Sequence, residues 1–222
     1  EGKLRWGNQV PRDIFNVSEI LEFYPDAKFI VCIRDIKDFL VSYKYKWKTA
    51  ELEKNKKRLK SLYHPIITSM LWKSSHQQIN KLIHKVPINN YLIVPYEKMV
   101  QAPEQTIRKI CNCIGEPFEQ GMLSIDFNNT SFQNSQKGIF NTSIGRWRTD
   151  LTAEEVAVAQ KIAARELRLH GYKIVQLQYS KFKMLQAILS TPVALIRGIK
   201  ANKEMRGSTL KYLVKRLQPL FT

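Results

Sequence analysis

The 222-residue sequence lacks several patterns that would place it at once in a common class of protein. Three cysteines without a Cys-x-x-Cys pair argue against a disulfide framework and a zinc site, and each is expected in the core. The sequence has no run of 18 apolar residues, which would predict a membrane-spanning segment. A Gly-Lys-Ser/Thr turn, which cradles phosphates in P-loop proteins, is also missing. The four histidines are too scattered to indicate a metal centre.

Acidic residues are scarce relative to basic ones. The chain has 19 acidic and 36 basic residues, a formal net charge of +17. Much of the excess lies in two segments, 44–60 with eight basic and two acidic residues, and 173–222 with ten basic and one acidic. This balance favours acidic partners such as nucleotides, nucleic acid, anionic lipid or polyanionic sugars. A solvated helix face is the alternative interpretation of either segment.

Two short apolar runs separated by helical patterns indicate the fold class. Residues 29–33 and 91–94 read as buried strands, each bounded by turn residues. Apolar residues recur at helical spacing between and after these strands. The pattern predicts a parallel α/β sheet flanked by helices, with helices over residues 35–47, 65–84, 103–114 and 153–170. Residues 48–62 predict a loop or an exposed helix.

The last 50 residues differ in character from the rest. Residues 181–200 hold helical apolar patches that Ser190-Thr191-Pro192 is expected to break, and residues 209–221 form a basic amphipathic segment. The sequence therefore predicts an α/β domain over 1–172 and a basic, helical C-terminal extension over 173–222. The extension either contacts a membrane surface or partner, or packs on its own domain.

A cation stands at the end of the first apolar strand. Arg34 follows Ile33 directly, and a helical segment carrying Ser42 follows Arg34. Ligands of open α/β sheets bind beyond the carboxyl ends of the strands, where a guanidinium matches phosphate or sulfate. The first turn of a helix and a serine hydroxyl add further donors. These residues predict an oxyanion site, and a salt bridge with Asp35 is the alternative.

Several motifs together resemble a known enzyme family. The segment FIVCIRDIKDFLVSYKY resembles the 3′-phosphate-binding motif of sulfotransferases that use 3′-phosphoadenosine-5′-phosphosulfate (PAPS), in which a serine follows the arginine by eight residues. Tyr96-Glu97, the segment NTSFQ (129–133) and the segment SIGRWRTDLTAEE (143–155) are similar to further motifs of that family, in the same order. The resemblance covers about residues 6–172 and implies the P-loop-like sulfotransferase α/β fold.

The resemblance also implies a reaction and a binding site. The enzyme would transfer the sulfuryl group of PAPS, its co-substrate, to a hydroxyl or amine without a metal. Arg34 and Ser42 would hold the 3′-phosphate, Tyr96 would touch the nucleotide, and Arg146 would add charge. The segment Thr130-Ser131-Phe132 would lie against the adenine, with Phe132 stacked on it. No residue is identified as the catalytic base.

The sequence departs from the family pattern in several ways. Phe140-Asn141-Thr142 occupies the region where many members carry an Arg-Lys-Gly triplet before the Gly-x-Trp glycine. The phosphosulfate-binding loop, rich in Lys, Ser/Thr and Gly, is absent and would precede Glu1, so an N-terminally truncated domain is expected. Lys98 stands where the family usually has aspartate after Tyr-Glu.

Two other classes of function remain open from the residues alone. Another P-loop enzyme, such as a small-molecule kinase, would prefer ATP and depend on magnesium. A non-enzymatic basic module would bind anionic membrane or nucleic acid with steep salt dependence. Under the sulfotransferase interpretation the acceptor is an acidic glycan, a lipid or a small molecule, and no nucleic acid partner is expected. Peripheral membrane contact would occur through the C-terminal tail, in the cytoplasm or alternatively the Golgi lumen.

Overall fold

The computed structural model describes residues 5–124, 139 and 142–202. Its regular elements alternate between helix and strand along the first half of the chain and are helical afterwards. The described residues form β1 (Phe29–Ile33), β2 (Tyr91–Pro95), and helices α1 (Val17–Phe23), α2 (Ile36–Tyr45), α3 (Glu53–Leu62), α4 (Pro65–Lys85), α5 (Tyr96–Gln101), α6 (Pro103–Ile114), α7 (Trp147–Asp150), α8 (Ala153–Ile162), α9 (Ala164–Leu169) and α10 (Lys181–Ala201). Short 3-10 helices occupy Pro11–Phe15, Lys46–Thr49, Ile88–Asn90 and Gln120–Leu123.

The two strands form a parallel pair, as the sequence predicted. Phe29 lies opposite Tyr91, and the register runs without a bulge to Ile33 opposite Pro95. Helices α2, α3 and α4 make the crossover between the strands, as a parallel pairing requires. The strands therefore end side by side, and the residues that follow them emerge at the same edge.

One face of β1 is not covered by the described residues. Ile30 and Cys32, two residues apart and therefore on the same face, are both exposed. The expectation that all three cysteines are core residues is wrong for Cys32 and holds fully for Cys111, which is buried.

The main core joins the first half of the chain to the last helices of the domain. Helix α2 contributes one stripe at a spacing of four residues, and α4 inserts a tryptophan between that stripe and α8 and α9. The buried members are Ile36, Leu40, Trp72, Ala159, Ala163 and Leu167. This packing fixes α2, whose first turn follows directly on the carboxyl end of β1.

The helix boundaries largely follow the local signals. Gly115 ends α6 in the left-handed conformation, with φ of 75°. Thr152 and Glu155 form the predicted capping box, in which each side chain accepts a hydrogen bond from the other's backbone N–H. The helix that begins there is interrupted at Ala163 and continues as α9. Of the two interpretations of residues 48–62, the exposed helix is confirmed over residues 53–62.

The predicted break at Ser190-Thr191-Pro192 is wrong, because α10 runs without interruption from Lys181 to Ala201. The hydroxyls of Ser190 and Thr191 each donate to the carbonyl of Ala187, at 3.0 Å, within the turn that precedes the proline. Packing against α3, α4 and α8 also holds the helix along its length. By length and composition alone, α10 is long and apolar enough to cross a membrane.

A buried histidine in α4 makes stability depend on pH. The His76 ring stacks on Trp72 with centroids 3.5 Å apart, and its Nδ1 lies 2.9 Å from the carbonyl of Trp72. Burial lowers the pKa of His76 from 6.5 to about 3, so the folded protein holds this ring neutral. Between pH 6.5 and about 3, the His76 imidazole is therefore protonated in the unfolded chain and neutral in the folded protein. We expect His76 to lower the free energy of unfolding by about 1.4 kcal/mol per pH unit as the pH falls from 6.5.

Urea denaturation at several pH values between 7 and 4 measures this slope. The variant His76→Phe should flatten it, whereas His84→Phe, at an exposed position of the same helix, should leave it as in the wild type. An equal slope in the wild type and His76→Phe would contradict the assignment.

Candidate functional site

The register of the sheet brings together the residues that follow the two strands. Because Ile33 lies opposite Pro95, Arg34 and Tyr96 are the next pair, followed by Asp35 and Glu97. The Arg34 guanidinium carbon lies 4.4 Å from the centre of the Tyr96 ring. The backbone N–H of Asp35 donates to Glu97 Oε1 at 2.9 Å. Four polar residues thus lie together at the carboxyl edge of the sheet, where α/β proteins bind ligands.

Arg34 is held from three directions. Its Nη2 donates to the carbonyl of Ser143 at 2.8 Å, and its carbonyl accepts from Trp72 Nε1 at 2.9 Å. The hydroxyl of Tyr96 lies 2.8 Å from Ser143 Oγ, so Arg34, Tyr96 and Ser143 each contact the other two. Arg34 Nε is buried and has no hydrogen-bond partner among the described residues. A buried guanidinium N–H without an acceptor is costly, so an anion at this site would supply the missing acceptor.

Asp38 attaches the segment 143–147 to the first turn of α2. Its Oδ2 accepts from Gly145 N at 2.7 Å and its Oδ1 from Trp147 N at 3.2 Å. Burial raises the pKa of the Asp38 carboxyl, while these two N–H groups and the positive charge of Arg34 act in the opposite direction. Gly145 has φ of 77°, in the left-handed region that residues other than glycine rarely adopt, so the turn favours glycine.

A second set of contacts fixes the other side of the site. Glu97 Oε2 accepts from the Tyr172 hydroxyl at 3.2 Å. Burial and the charge of Glu97 both raise the pKa of Tyr172, which keeps the phenol protonated as the donor. Lys37, itself buried, pairs with Asp35 at 2.8 Å and donates to the carbonyl of Lys173 at 2.9 Å. The carboxylates of Asp35 and Asp38 therefore both accept hydrogen bonds from groups of the protein itself.

The structure brings together only some of the residues predicted for the site. Arg34 and Tyr96 are in direct contact. Ser42 lies half-buried on α2, about two turns from Arg34. Arg146 follows Gly145 in the segment that Asp38 holds, and its guanidinium donates to Asp150 at 2.6 Å. The remaining predicted residues lie outside the described part of the chain; these are Thr130, Ser131 and Phe132.

Sequence reasoning missed the residues that hold the site in place. Ser143, Asp38 and Glu97 contact the predicted cations or the backbone beside them, yet none was predicted as a site residue. A signal existed for Glu97, since it is the residue after Tyr96 and the strands are in parallel register. No local pattern connects Asp38 with Gly145, because the two residues are far apart in sequence.

Comparison with protein families and solved structures agrees with this geometry. Residues 18–171 match the family described as Sulfotransferase domain. This chain belongs to the sulfotransferase family. The match covers both strands, Arg34, Tyr96 and the segment around Gly145, so the carboxyl edge of the sheet lies inside the region that defines the family.

Curated relatives match part of this sulfotransferase chain. Human sulfotransferase 2A1 is 28% identical over 116 residues, which are 52% of this chain and 41% of the relative. Mouse sulfotransferase 2A6 is 28% identical over 134 residues, 60% of this chain and 46% of the relative. The chain thus spans less than half the length of these two relatives in the matched regions.

Two solved sulfotransferase domains share the fold. The sulfotransferase domain from the curacin biosynthetic pathway gives a TM-score of 0.52 at 14% identity, covering 76% of this chain and 62% of that domain. The sulfotransferase domain from the Synechococcus PCC 7002 olefin synthase gives 0.50 at 18% identity, covering 67% and 50%. At these identities the likeness confirms the predicted α/β sulfotransferase fold and says nothing about substrates.

Replacing Asp38 with asparagine should weaken the attachment of segment 143–147 to α2 without creating a cavity in the core. Asparagine has one carbonyl oxygen, so one of the two N–H groups of Gly145 and Trp147 would lose its acceptor and face an NH₂ group. We expect the free energy of unfolding to fall by about 1.5–3 kcal/mol. Thermal or urea denaturation measures the loss, and Glu104→Gln, at a half-exposed ion pair with Arg108, should cost less than about 1 kcal/mol. Equal losses in the two variants would refute the role of Asp38.

Proposed function

We propose that this chain transfers the sulfuryl group of PAPS to a hydroxyl or amine acceptor. The observation that carries the proposal is the half-buried Arg34 guanidinium at the carboxyl edge of the sheet, which lies over the Tyr96 ring and whose buried Nε has no partner within the described residues. A fixed guanidinium with a free N–H suits the oxyanion of a phosphate or sulfate ester. Membership of the sulfotransferase family makes the 3′-phosphate of PAPS the anion of choice.

In the proposed complex Arg34 and Ser42 bind the 3′-phosphate, and Arg146 adds positive charge nearby. Tyr96 touches the nucleotide, and Thr130, Ser131 and Phe132 lie against the adenine. The acceptor oxygen or nitrogen forms a bond to sulfur as the bond from sulfur to the phosphate oxygen breaks. The acceptor proton leaves to a base that we do not assign, and adenosine 3′,5′-bisphosphate departs. Positioning and charge stabilisation by the protein carry such a transfer, and no metal takes part.

Ligand discrimination tests the proposal against a kinase-like function. Calorimetric titration with adenosine 3′,5′-bisphosphate, AMP and ATP, each with and without magnesium, should show the tightest binding for the 3′-phosphorylated nucleotide, independent of magnesium. Preference for ATP that requires magnesium would overturn the proposal. A turnover assay with sulfur-labelled PAPS and a panel of phenols, alcohols and amines would then identify the acceptor class.

The acceptor and the site of action are further parts of the proposal. The basic segment 44–60, which includes most of the exposed helix α3, favours an acidic glycan or a lipid, and a neutral small molecule is the alternative. We place the protein in the cytoplasm, with peripheral membrane contact through residues 173–222, and the Golgi lumen is the alternative compartment.

A further inference from the structure

Helix α10 packs on the domain through its small residues. Ala194 is buried, and Gly198 approaches Leu62 closely enough that a Cβ would be in van der Waals contact with it. Ala187, Thr191 and Ala201 continue this small face at helical spacing and are partly buried. Small residues let a helix lie close to its support, so the face turned to the protein is the one with the least apolar surface.

Polar contacts fix the rotation of the helix. Ser190 Oγ lies 3.1 Å from His64 Nε2, and Arg197 Nε donates to the carbonyl of Ser61 at 3.0 Å. At the end of the helix, the Asn202 amide oxygen accepts from the Arg58 guanidinium at 3.0 Å. These bonds to α3 and the residues after it prevent α10 from rolling to bury its other face.

The opposite face of α10 consists of large apolar side chains that are exposed. Phe182 is 67% exposed, Leu189 69% and Val193 67%. Leu185 and Ile196 belong to the same face at helical spacing, and Ile188 and Leu195 are exposed on one flank of the helix. Scattered apolar residues are normal on a protein surface, whereas five on one face of one helix, with two more on its flank, mark a binding surface.

The charge around this apolar face is mainly positive. Helix α10 contains no acidic residue and carries Lys181 and Lys183 in its first turn and Arg197 and Lys200 near its end. The neighbouring helix α3 adds five cations and one carboxylate, Glu53, which pairs with Lys56. A second carboxylate, Glu154, accepts from the backbone N–H of Ser180 beside the start of α10. The cations of α3 are Lys54, Lys56, Lys57, Arg58 and Lys60. An apolar stripe bordered by cations is the composition of helices that lie at the surface of an anionic bilayer.

We propose that α10 lies in the plane of an anionic membrane surface, with its apolar face among the acyl chains and its small face on the domain. Each Lys or Arg close to a phosphatidylserine-containing surface strengthens binding, and the apolar side chains add affinity by leaving water. This proposal specifies which helix and which face make the membrane contact proposed above for residues 173–222. It does not depend on sulfuryl transfer, since none of these residues belongs to the site around Arg34.

Two other occupants fit the surface less well. In an antiparallel pairing of two copies through α10, the lysines at the start of one helix would face the cations at the end of the other, with no acidic residue in either helix. A membrane-spanning orientation would strip the helix from α3, α4 and α8 and break the bonds of Ser190, Arg197 and Asn202 to the domain. A helix lying on the surface keeps all of these contacts.

Vesicle co-sedimentation of the full chain tests the proposal. Vesicles of phosphatidylcholine with about 30 mol % phosphatidylserine should bind the protein, and binding should fall at least tenfold in about 0.5 M salt or with phosphatidylcholine alone. The triple variant Leu185→Ser, Leu189→Ser, Val193→Ser should also weaken binding at least tenfold, because three apolar side chains that would leave water on binding are removed. The matched control Phe23→Ser, Ile88→Ser removes apolar residues of 75% and 77% exposure elsewhere and should bind as the wild type.

Three results would overturn the proposal. The first is no binding to either vesicle by the wild type, and the second is equal loss in the triple and control variants. The third is a wild-type dimer in analytical ultracentrifugation that the triple variant converts to monomer, with no vesicle binding in either form. Alkaline carbonate should release the bound protein, as expected for surface attachment. Retention in the membrane would indicate a spanning helix and would overturn the proposal as well. Far-UV circular dichroism confirms that each variant is folded.

Discussion

Replacing Arg34 with alanine should weaken the binding of adenosine 3′,5′-bisphosphate by at least about 100-fold, because two charge-assisted hydrogen bonds of about 1.5–3 kcal/mol each are lost. The affinity for AMP, which lacks the 3′-phosphate, should change by much less. Calorimetry with both nucleotides measures the ratio of the two affinities. Arg34→Lys keeps the charge but loses the two-pronged geometry of the guanidinium, so we expect an intermediate loss.

The ratio separates a binding role of Arg34 from a structural one. Arg34 also holds Ser143 and stacks on Tyr96, so a variant that merely disturbed these contacts would weaken both nucleotides equally. Arg165→Ala, an exposed arginine of α9, is the matched control and should leave both affinities unchanged. An unaltered preference for the bisphosphate in Arg34→Ala would contradict the assignment of Arg34 to the 3′-phosphate.

The meeting of Arg34 and Tyr96 could be predicted from the sequence because it follows from strand geometry. Two apolar runs separated by helices predict a parallel pair, and parallel strands deliver their next residues to the same edge. The register confirms this, since the pair after Ile33 and Pro95 is Arg34 and Tyr96. The amino-acid sequence alone therefore predicts both the cation at this edge and the type of ligand that the cation suits.

The support of the site could not be predicted in the same way. The bonds from Asp38 to Gly145 and Trp147, and from Arg34 to Ser143, join residues more than one hundred positions apart. Such pairings depend on how α2 and α8 pack around the main core, and no periodicity within a single segment encodes that packing.

Helix α10 shows a different limit of local patterns. Pro192 suggested a break because proline removes one backbone donor and disfavours the helical conformation of the residue before it. In the structure tertiary contacts from Ser190 and Arg197 hold both halves of the helix in line. The same contacts decide which face is exposed, and that choice is the reverse of the usual one for a helix on a globular domain.

Replacing Trp72 with alanine should give the largest loss of stability. Trp72 is only 2% exposed and lies in the main core with Ile36 and Leu40. The alanine variant would leave a cavity beneath α2, and we expect the free energy of unfolding to fall by about 3–5 kcal/mol. Urea denaturation measures the loss. Trp6→Ala, at a tryptophan that is 71% exposed, should cost less than about 1 kcal/mol.

Trp72 also connects the core to the site, because its indole N–H donates to the carbonyl of Arg34. Trp72→Phe keeps most of the apolar volume but leaves that carbonyl without its donor, so we expect a loss of about 1–3 kcal/mol in stability. If the bond also positions Arg34, the folded Trp72→Phe protein should bind adenosine 3′,5′-bisphosphate several-fold more weakly while its affinity for AMP holds. A phenylalanine variant with wild-type affinity for both nucleotides would confine Trp72 to the core, and an alanine variant no less stable than Trp6→Ala would contradict both roles.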